Sequence, residues 1–301
     1  MKYLSTYEQG LSPELEQKAK DELGETPEKK TQSLKELRIL INEEADFRPQ
    51  NDDEFLTRFL RVKKYDVKKA FTTLRNFYIF KARYSRLLTD FKPSEVLPIL
   101  EMNNLFVMPY RHPSGATVCY MRPAYYDIDK VTIDEICATA FVALEYYIRY
   151  DACQVGGFIV IFDENKLSFR IMKHYADLRF LYRCVRFIQD CVPGRIQAIH
   201  FWNQPFYFGF ILNIFKALVS DKISKRIHCH GANHKSLHQH VPADILPEEL
   251  GGNLGPLAPL ANDFRNKIMS IEASIEKMNT YGFSEKKIKH FKRQDSKSAF
   301  L

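Results

Sequence analysis

The run GGFIVIFD in the middle of the chain constrains the fold more than any other segment. Along a β-strand, successive side chains point to opposite faces of the sheet. In this run Phe158, Val160 and Phe162 share one face, and Ile159 and Ile161 share the other. Because both faces are apolar, we expect a central strand that is covered on both sides.

Short β-rich runs and long helical segments alternate from about residue 97 onward. The runs TVCYM, IQAIHFWN and RIHCH are predicted strands. One helix is predicted over residues 133–148 and another over about residues 169–190, and each carries an apolar stripe that could cover a sheet face. This alternation is typical of an α/β fold.

The first ninety residues have a helical pattern instead. Ser12 and Thr26 each precede a proline, an arrangement that caps and starts a helix, and Asp66 caps a longer amphipathic helix. A cluster of glycines and prolines then ends the α/β region near residue 256. We therefore predict three parts: an all-α bundle at 1–92, an α/β domain at 93–256, and a C-terminal helix with a basic tail at 257–301.

Charge and cysteine content restrict the class of protein. The net charge of +7 on 301 residues is a mild basic excess, which matters only where it is clustered. The basic end, SEKKIKHFKRQDSKSAFL, is predicted to be solvated or disordered, with a weak membrane-surface contact as the alternative. Six scattered cysteines without a C-x-x-C pair, and an opening MKYLSTYEQG without an apolar signal segment, favour a reduced, cytoplasmic protein.

Residues 205–219, PFYFGFILNIFKALV, form the most unusual segment. A helix that is apolar nearly all round must be buried or face lipid, and fifteen residues are too few to cross a bilayer. Such a helix could cover an apolar cavity with one side and meet a membrane interface with the other. Lys222, Lys225 and Arg226 follow at helical spacing, which favours reversible docking to an anionic surface.

The segment DKISKRIHCHGANHKSLHQH, residues 221–240, has the spacing of a possible metal site. Strand alternation places His228 and His230 on one face of a predicted strand, so we interpret these histidines as structural and expect no metal. No nucleophile elbow, zinc-protease motif or phosphate loop is present, and we expect no enzymatic activity. Asp163 and Glu164 end a strand, where we predict a capping role.

Several motifs together resemble the CRAL-TRIO lipid-binding family. FLTRFLRVKKYDVKKA resembles its N-terminal helical module, and GGFIVIFDENKLSF, IQAIHFWNQPFYF, KISKRIHCHG and DILPEELGG resemble successive parts of its lipid-binding domain. The match runs from about residue 52 to 256 and is nearest the branch of α-tocopherol transfer protein and cellular retinaldehyde-binding protein. The resemblance implies an α/β lipid-binding cage, with a sheet floor, flanking helices and a mobile gate helix at 205–219.

The resemblance also implies a phosphoinositide-binding cleft beside the gate. Lys222 and Arg226 match two cations of that branch, and Arg195 matches a third. The fourth position holds Gln197, which implies a weaker or different headgroup selectivity. The implied partners are phosphatidylinositol phosphates and the membrane surface, which the protein would visit reversibly; no nucleic-acid partner is expected, and the protein is expected to be a monomer.

A ligand pocket is predicted from the helix stripe, the strand face and the resemblance together. Its predicted residues are Cys137, Ala140, Phe141, Leu144, Phe158, Val160, Phe162, Phe169, Ile199, Phe206 and Phe210. No cofactor is expected beyond one bound lipophilic molecule, such as a retinoid, tocopherol, carotenoid or similar isoprenoid. Ala140 and Leu144 stand where the tocopherol carrier has polar residues, which argues against tocopherol itself. The predicted function is transfer of this lipid between membranes; the alternatives are phosphatidylinositol transfer, a lipid-sensing scaffold or a histidine-cluster metal protein.

Overall fold

The computed structural model describes residues 3–298, and their side chains as far as residue 293. The helices are α1 Pro13–Lys18, α2 Pro27–Glu43, α3 Asp53–Val62, α4 Val67–Tyr84, α5 Pro93–Leu100, α6 Ile133–Tyr147, α7 Asp151–Gly156, α8 Phe169–Tyr175, α9 Leu178–Arg186, α10 Phe208–Leu218, α11 Asp221–Ser224, α12 His234–His238, α13 Leu257–Met269, α14 Glu272–Met278 and α15 Glu285–Ser298. The strands are β1 Phe47–Arg48, β2 Leu105–Val107, β3 Thr117–Met121, β4 Phe158–Asp163, β5 Ile196–Trp202, β6 Ile227–Cys229 and β7 Gly282–Phe283.

Five of the strands form one sheet in the order β2-β3-β4-β5-β6. The pairings from β3 to β6 are parallel, and β2 joins the edge as an antiparallel strand. The predicted strands are therefore confirmed, and β4 occupies the centre as its two apolar faces require. The α/β fold with a helical N-terminal region is confirmed as well.

The N-terminal helices begin where the sequence places capping side chains. Ser12, Thr26, Asp52 and Asp66 each accept a hydrogen bond from a backbone N–H in the first turn of the helix that follows. The side chains that α4 contributes to the core, among them Ala70, Leu74, Phe77 and Tyr78, follow the predicted three-and-four spacing. Helices α2, α3 and α4 thus share one apolar core.

A buried arginine joins this helical region to the α/β region. Arg61 of α3 is 2% exposed, and its guanidinium donates two hydrogen bonds of 2.8 Å to Glu25. The same guanidinium pairs with Asp151 of α7 and donates to the Oε1 of Gln154 at 2.7 Å. Three separate segments therefore depend on one buried charge.

The single helix expected over residues 169–190 is wrong. The chain forms α8 and α9 with a break between them, followed by a π-helical turn at Phe187–Cys191. The break has a local cause, because the Asp177 side chain accepts from the backbone N–H of Phe180 at 2.7 Å and starts a new helix. Helix α9 consequently runs independently of α8.

The basic tail also differs from its prediction. Residues Glu285–Ser298 form helix α15, and Phe291 on this helix is only 6% exposed. The neighbouring strand β7 pairs with β1, and the rings of Phe283 and Phe47 stack with centroids 4.4 Å apart. Lys286, Lys289, Lys292 and Arg293 are exposed, which agrees with a solvated end, whereas the alternative of a disordered end is wrong as far as residue 298. Residues 299–301 lie outside the described part. The boundaries at 92 and 256 fall between helices and stay predictions.

Candidate functional site

The two faces of the central sheet differ in how closely they are covered. On one face of β4, Ile159 and Ile161 are 4% and 0% exposed. On the opposite face, Val160 and Phe162 are only half-buried, although β4 has two strands on each side. Neighbouring strands close the edges of β4, so this exposure requires open space above the face.

We call this space the apolar chamber and define it by the half-buried residues that surround it. These are Cys119 and Met121 of β3, Val160 and Phe162 of β4, and Ala140 and Leu144 of α6. Cys137 and Phe141 of α6 are half-buried beside them, and the ring of Phe141 contacts that of Phe187 with centroids 4.0 Å apart. Burial raises the pKa of the Cys119 thiol, which belongs to this group, to about 12, so the thiol stays protonated near neutral pH. The Cys137 thiol, whose Sγ lies 3.8 Å from that of Cys184, has a pKa raised well above its usual value by this contact and by burial.

Eight of the eleven predicted pocket residues lie on or beside this sheet face. Cys137, Ala140, Phe141 and Leu144 come from α6, Phe158, Val160 and Phe162 from β4, and Ile199 from β5. Phe158 and Ile199 are 3% and 4% exposed and pack beneath the chamber. The structure therefore brings these eight residues to one region of the molecule, and their role in a ligand pocket stays a prediction.

The other three predicted pocket residues lie on the outer surface. Phe169, Phe206 and Phe210 are 68%, 97% and 66% exposed, so in this conformation none of them lines the chamber. The cause lies in the two sides of α10: Phe208 and Ile211 already pack inward with Phe201 of β5, which leaves Phe210 outside. Sequence periodicity could not decide which side of so apolar a helix faces the protein.

These exposed side chains belong to a group on neighbouring elements, with α9 in contact with α10, and we call this group the aromatic patch. It consists of Phe169, Leu178, Tyr182, Phe206 and Phe210, contributed by α8, α9, α10 and the turn before α10. Tyr207 lies between two of its members, with ring centroids 6.3 Å from Phe169 and 5.3 Å from Phe206. Exposed apolar side chains gathered in this way mark an interaction surface.

The three predicted headgroup cations lie close together. Burial and the positive charges of Arg226 and Arg195 lower the pKa of Lys222. Burial and Arg195 lower that of Arg226. Lys222, Lys225 and Arg226 do not share one helix as their spacing predicted. Helix α11 ends at Ser224, and the backbone of Arg226 already pairs with Ile199 of β5.

Lys63 and Lys64 extend this group, which we call the basic cluster: Lys63, Lys64, Arg195, Lys222 and Arg226. The two lysines lie in the turn between α3 and α4, where Lys64 has a left-handed φ of 53°, and both help to lower the pKa of Lys222. Sequence analysis missed them. The pair is visible in RVKKYD, but only the tertiary fold places it beside residue 222.

The cluster is not composed of free cations alone. Arg195 forms an ion pair of 2.5 Å with Glu22 and donates to the carbonyl oxygen of Val155 at 2.8 Å. Gln197, at the position where the family pattern is basic, donates to the carbonyl oxygen of Gly156 at 3.1 Å. Of the predicted cations, Lys222 is the most exposed and Arg195 is the most engaged by the protein itself.

Four histidines form a second polar group on the opposite side of the sheet. His200 stacks on His228 with ring centroids 5.0 Å apart, and His200 Nδ1 lies 2.9 Å from His230 Nε2. The ring centroid of His240 lies 4.5 Å from that of His228. Within residues 3–298, no three His, Cys, Asp or Glu side chains are arranged to hold a metal ion.

The sequence profile of the CRAL/TRIO domain matches residues 101–252, a span that contains the whole sheet and the chamber. The chain belongs to the CRAL/TRIO family. This family of lipid-binding transfer proteins is the one that the sequence motifs resembled, and the recognition is confirmed.

Curated relatives and a solved structure agree with the CRAL/TRIO assignment. The chain is 32% identical over 248 residues to the alpha-tocopherol transfer protein-like protein of Homo sapiens, which covers 82% of this chain and 72% of that protein. It is 30% identical over 250 residues to clavesin-1 of Xenopus laevis, covering 82% and 75% of the two chains. The crystal structure of Sfh5 shares the fold at a TM-score of 0.54 and 12% identity, over 83% of this chain and 98% of that one. Across residues 3–298, no helix combines the length and the apolar character that a membrane span requires.

Proposed function

We propose that this CRAL/TRIO protein is a non-catalytic carrier that holds one hydrophobic lipid in the apolar chamber and exchanges it with membranes. The observation that carries the proposal is the half-buried state of Val160 and Phe162 on the central strand of the sheet, where Ile159 and Ile161 of the opposite face are buried. An apolar space inside a folded domain is unfavourable unless apolar material fills it. A lipid in contact with this face would supply that material.

Capture of such a lipid needs no charged group. If about 400 Å² of apolar ligand surface is buried at about 25 cal/mol per Å², the gain is on the order of 10 kcal/mol before the entropic costs of binding. The predicted pocket side chains other than the exposed aromatics are suited to this contact, because they are apolar or carry thiols that remain protonated.

Helix α10 is proposed as the gate and the aromatic patch as the surface that meets the bilayer. Phe208 and Ile211 hold the inner side of α10 against the sheet, while Phe206 and Phe210 point outward. A movement of α10 would therefore open the apolar chamber next to the aromatic patch, the surface that is proposed to meet the bilayer. The basic cluster, which includes Lys222 just beyond the end of α10, is proposed to bind phosphoinositide headgroups.

The carrier proposal is tested by the lipid content of the protein. We expect one lipophilic molecule per chain in native mass spectra after incubation with liposomes that contain retinoids, tocopherol, carotenoids, sterols and phospholipids. Extraction and mass spectrometry of the same sample identify the molecule. Spectra that show only the empty chain with every one of these lipids would refute the carrier proposal.

The headgroup proposal is tested by Lys222→Ala with Arg226→Ala. At about 1 kcal/mol per cation, loss of both weakens partition onto vesicles of phosphatidylcholine and phosphatidylinositol bisphosphate by about 30-fold. The matched control is Lys35→Ala with Lys235→Ala, which removes the same charge from exposed sites elsewhere. Equal vesicle binding by the two double variants would show that the basic cluster has no special role.

A further inference from the structure

Glu164 lies at the end of β4, on the side of the apolar chamber. Its backbone N–H donates to the carbonyl oxygen of Trp202 at 2.8 Å, so the chain is still extended at this residue. The preceding Asp163 points to the opposite face, where it accepts a hydrogen bond of 2.8 Å from the hydroxyl of Tyr120. Alternation therefore places Glu164 on the same face as Val160 and Phe162.

The two adjacent carboxyl groups differ in their hydrogen bonds. Asp163 accepts from Tyr120, from the backbone N–H of Asn165 at 2.9 Å and from the side chain of Asn203 at 3.2 Å, which agrees with the predicted capping role. Glu164 is 6% exposed, and among the described residues no side chain or backbone group forms a hydrogen bond or ion pair with its carboxyl group. The capping prediction is therefore wrong for Glu164. A buried polar group without a partner is costly, so this carboxyl requires another explanation.

Weakly acidic side chains surround this end of the chamber. The hydroxyl of Tyr175 on α8 has a pKa raised well above its usual value by burial and by the neighbouring acidic groups Cys137, Tyr126, Glu164 and Cys184. The Tyr175 hydroxyl donates to the carbonyl oxygen of Pro123 at 3.1 Å, so its proton is already used. Arg183 of α9, which faces Cys137, is held by Asp134 at 2.6 Å.

The charge state of Glu164 follows from these surroundings. Burial, and then the negative charge of Asp163, raise the pKa of Glu164 to about 8. The carboxyl is therefore mostly neutral near pH 7, and it presents one O–H donor and one carbonyl acceptor to the chamber.

We propose that the Glu164 carboxyl is the polar recognition group of the chamber and binds the uncharged oxygen of a lipid alcohol, aldehyde or ketone. The inference rests on the proposed carrier function and narrows its ligand class. A hydroxyl group complements both the donor and the acceptor of the carboxyl, and an aldehyde or ketone complements the donor. A carboxylate or phosphate would instead add a second negative charge beside Asp163 in a poorly hydrated site, which is strongly unfavourable.

Ligand binding and protonation of Glu164 are then coupled. A lipid that displaces water from the carboxyl favours the protonated form, so the complex holds its proton to a higher pH than the empty protein does. Affinity is therefore constant below about pH 8 and falls by up to about tenfold for each pH unit above it. Glutamine in place of Glu164 keeps a donor and an acceptor but removes the titration.

The test uses three pairs of lipids that share a skeleton and differ only in the end group: retinol with retinoic acid, farnesol with farnesoic acid, and oleyl alcohol with oleic acid. Binding is read by native mass spectrometry and, for retinol, by energy transfer from Trp202, the single tryptophan of the chain. We expect the alcohol to bind at least about tenfold more tightly than the acid in each pair near pH 7. Acids that bind as tightly as their alcohols would overturn the inference.

The variants separate this inference from the carrier proposal. We expect retinol affinity to fall above about pH 8 in the unmodified protein, to stay constant in Glu164→Gln, and to be about five- to tenfold weaker near pH 7 in Glu164→Leu. Glu101→Gln, at an exposed site, should behave as the unmodified protein does. If retinol binds to all four proteins with the same dependence on pH, the proposed role of Glu164 is wrong and the carrier proposal is unaffected. No binding of any of the six lipids by any of the proteins overturns this inference, and the carrier proposal falls as well only if the wider set of lipids offered in liposomes also leaves the chain empty.

Discussion

The histidine cluster predicts a specific loss of stability in mild acid. Burial and the neighbouring imidazoles lower the pKa of His200 from 6.5 to about 3 and that of His230 from 6.5 to about 4. In the unfolded chain both residues take up protons near their ordinary pKa, whereas in the folded protein both stay neutral. Between about pH 6.5 and pH 4 the unfolded state therefore binds more protons, and the free energy of unfolding falls as the pH falls.

The size of this loss follows from the pKa differences. At about pH 4.5 each residue lies roughly two pH units below its ordinary pKa, which corresponds to roughly 3 kcal/mol. Folded His230, with a pKa of about 4, already begins to take up a proton near pH 4.5, so the combined contribution is at most roughly 5 kcal/mol. Typical domains have a free energy of unfolding of about 5–15 kcal/mol. A loss of this size should therefore produce an acid transition that is easy to observe.

His200→Gln isolates the contribution of the cluster. The variant lacks one titrating ring. We expect its free energy of unfolding to depend less steeply on pH between about pH 6 and 4.5, by about 1.4 kcal/mol per pH unit. Urea unfolding followed by circular dichroism at a series of pH values gives the slope. His174→Gln, at an exposed site, is the control. Parallel pH dependences for the unmodified protein and His200→Gln would refute the reasoning.

Three further predictions concern other parts of the molecule. Arg61→Met leaves Glu25 buried without its partner, and we expect a loss of about 3–5 kcal/mol in the free energy of unfolding, measured by urea titration; a loss below about 1 kcal/mol would contradict the role of this buried charge. Phe291→Ala should cost about 3 kcal/mol in the same assay, because its ring packs in the N-terminal core; an unchanged midpoint would mean that α15 is not docked in solution. Phe206→Ser with Phe210→Ser should leave stability unchanged and slow lipid transfer between vesicles by at least about tenfold, since both side chains are exposed; normal transfer would exclude the aromatic patch as the docking surface.

Alternation and helical spacing predicted the parts of the fold that depend on local pattern. Val160 and Ile161 are both apolar and lie on opposite faces of β4. The sequence alone was therefore sufficient to place β4 at the centre of the sheet. Helix α6 was predicted almost to its ends, because one stripe of the helix is apolar. The β-rich runs TVCYM, IQAIHFWN and RIHCH predicted strands β3, β5 and β6.

The features that were missed depend on distant contacts or on a single side chain. Strand β2 has three residues and is recognisable only by its pairing with β3. The break between α8 and α9 results from one capping residue, Asp177. Exposure of Phe206 and Phe210 could not be predicted, because α10 is apolar on both sides. Lys63 and Lys64 join the basic cluster only through the packing of the helical region against the sheet.

The ribbon formed by β1 and β7 has a consequence for how the protein is made. Phe47 pairs with Phe283, so this contact joins residues that are 283 − 47 = 236 positions apart. A ribosome that adds about 5–20 residues per second needs roughly 10–50 s to produce the second partner after the first. During this time the N-terminal helices lack the aromatic rings that complete their core, and Phe47 is without its stacking partner. The N-terminal core is therefore expected to be completed only after Phe283 has been synthesised, and to need chaperones until then.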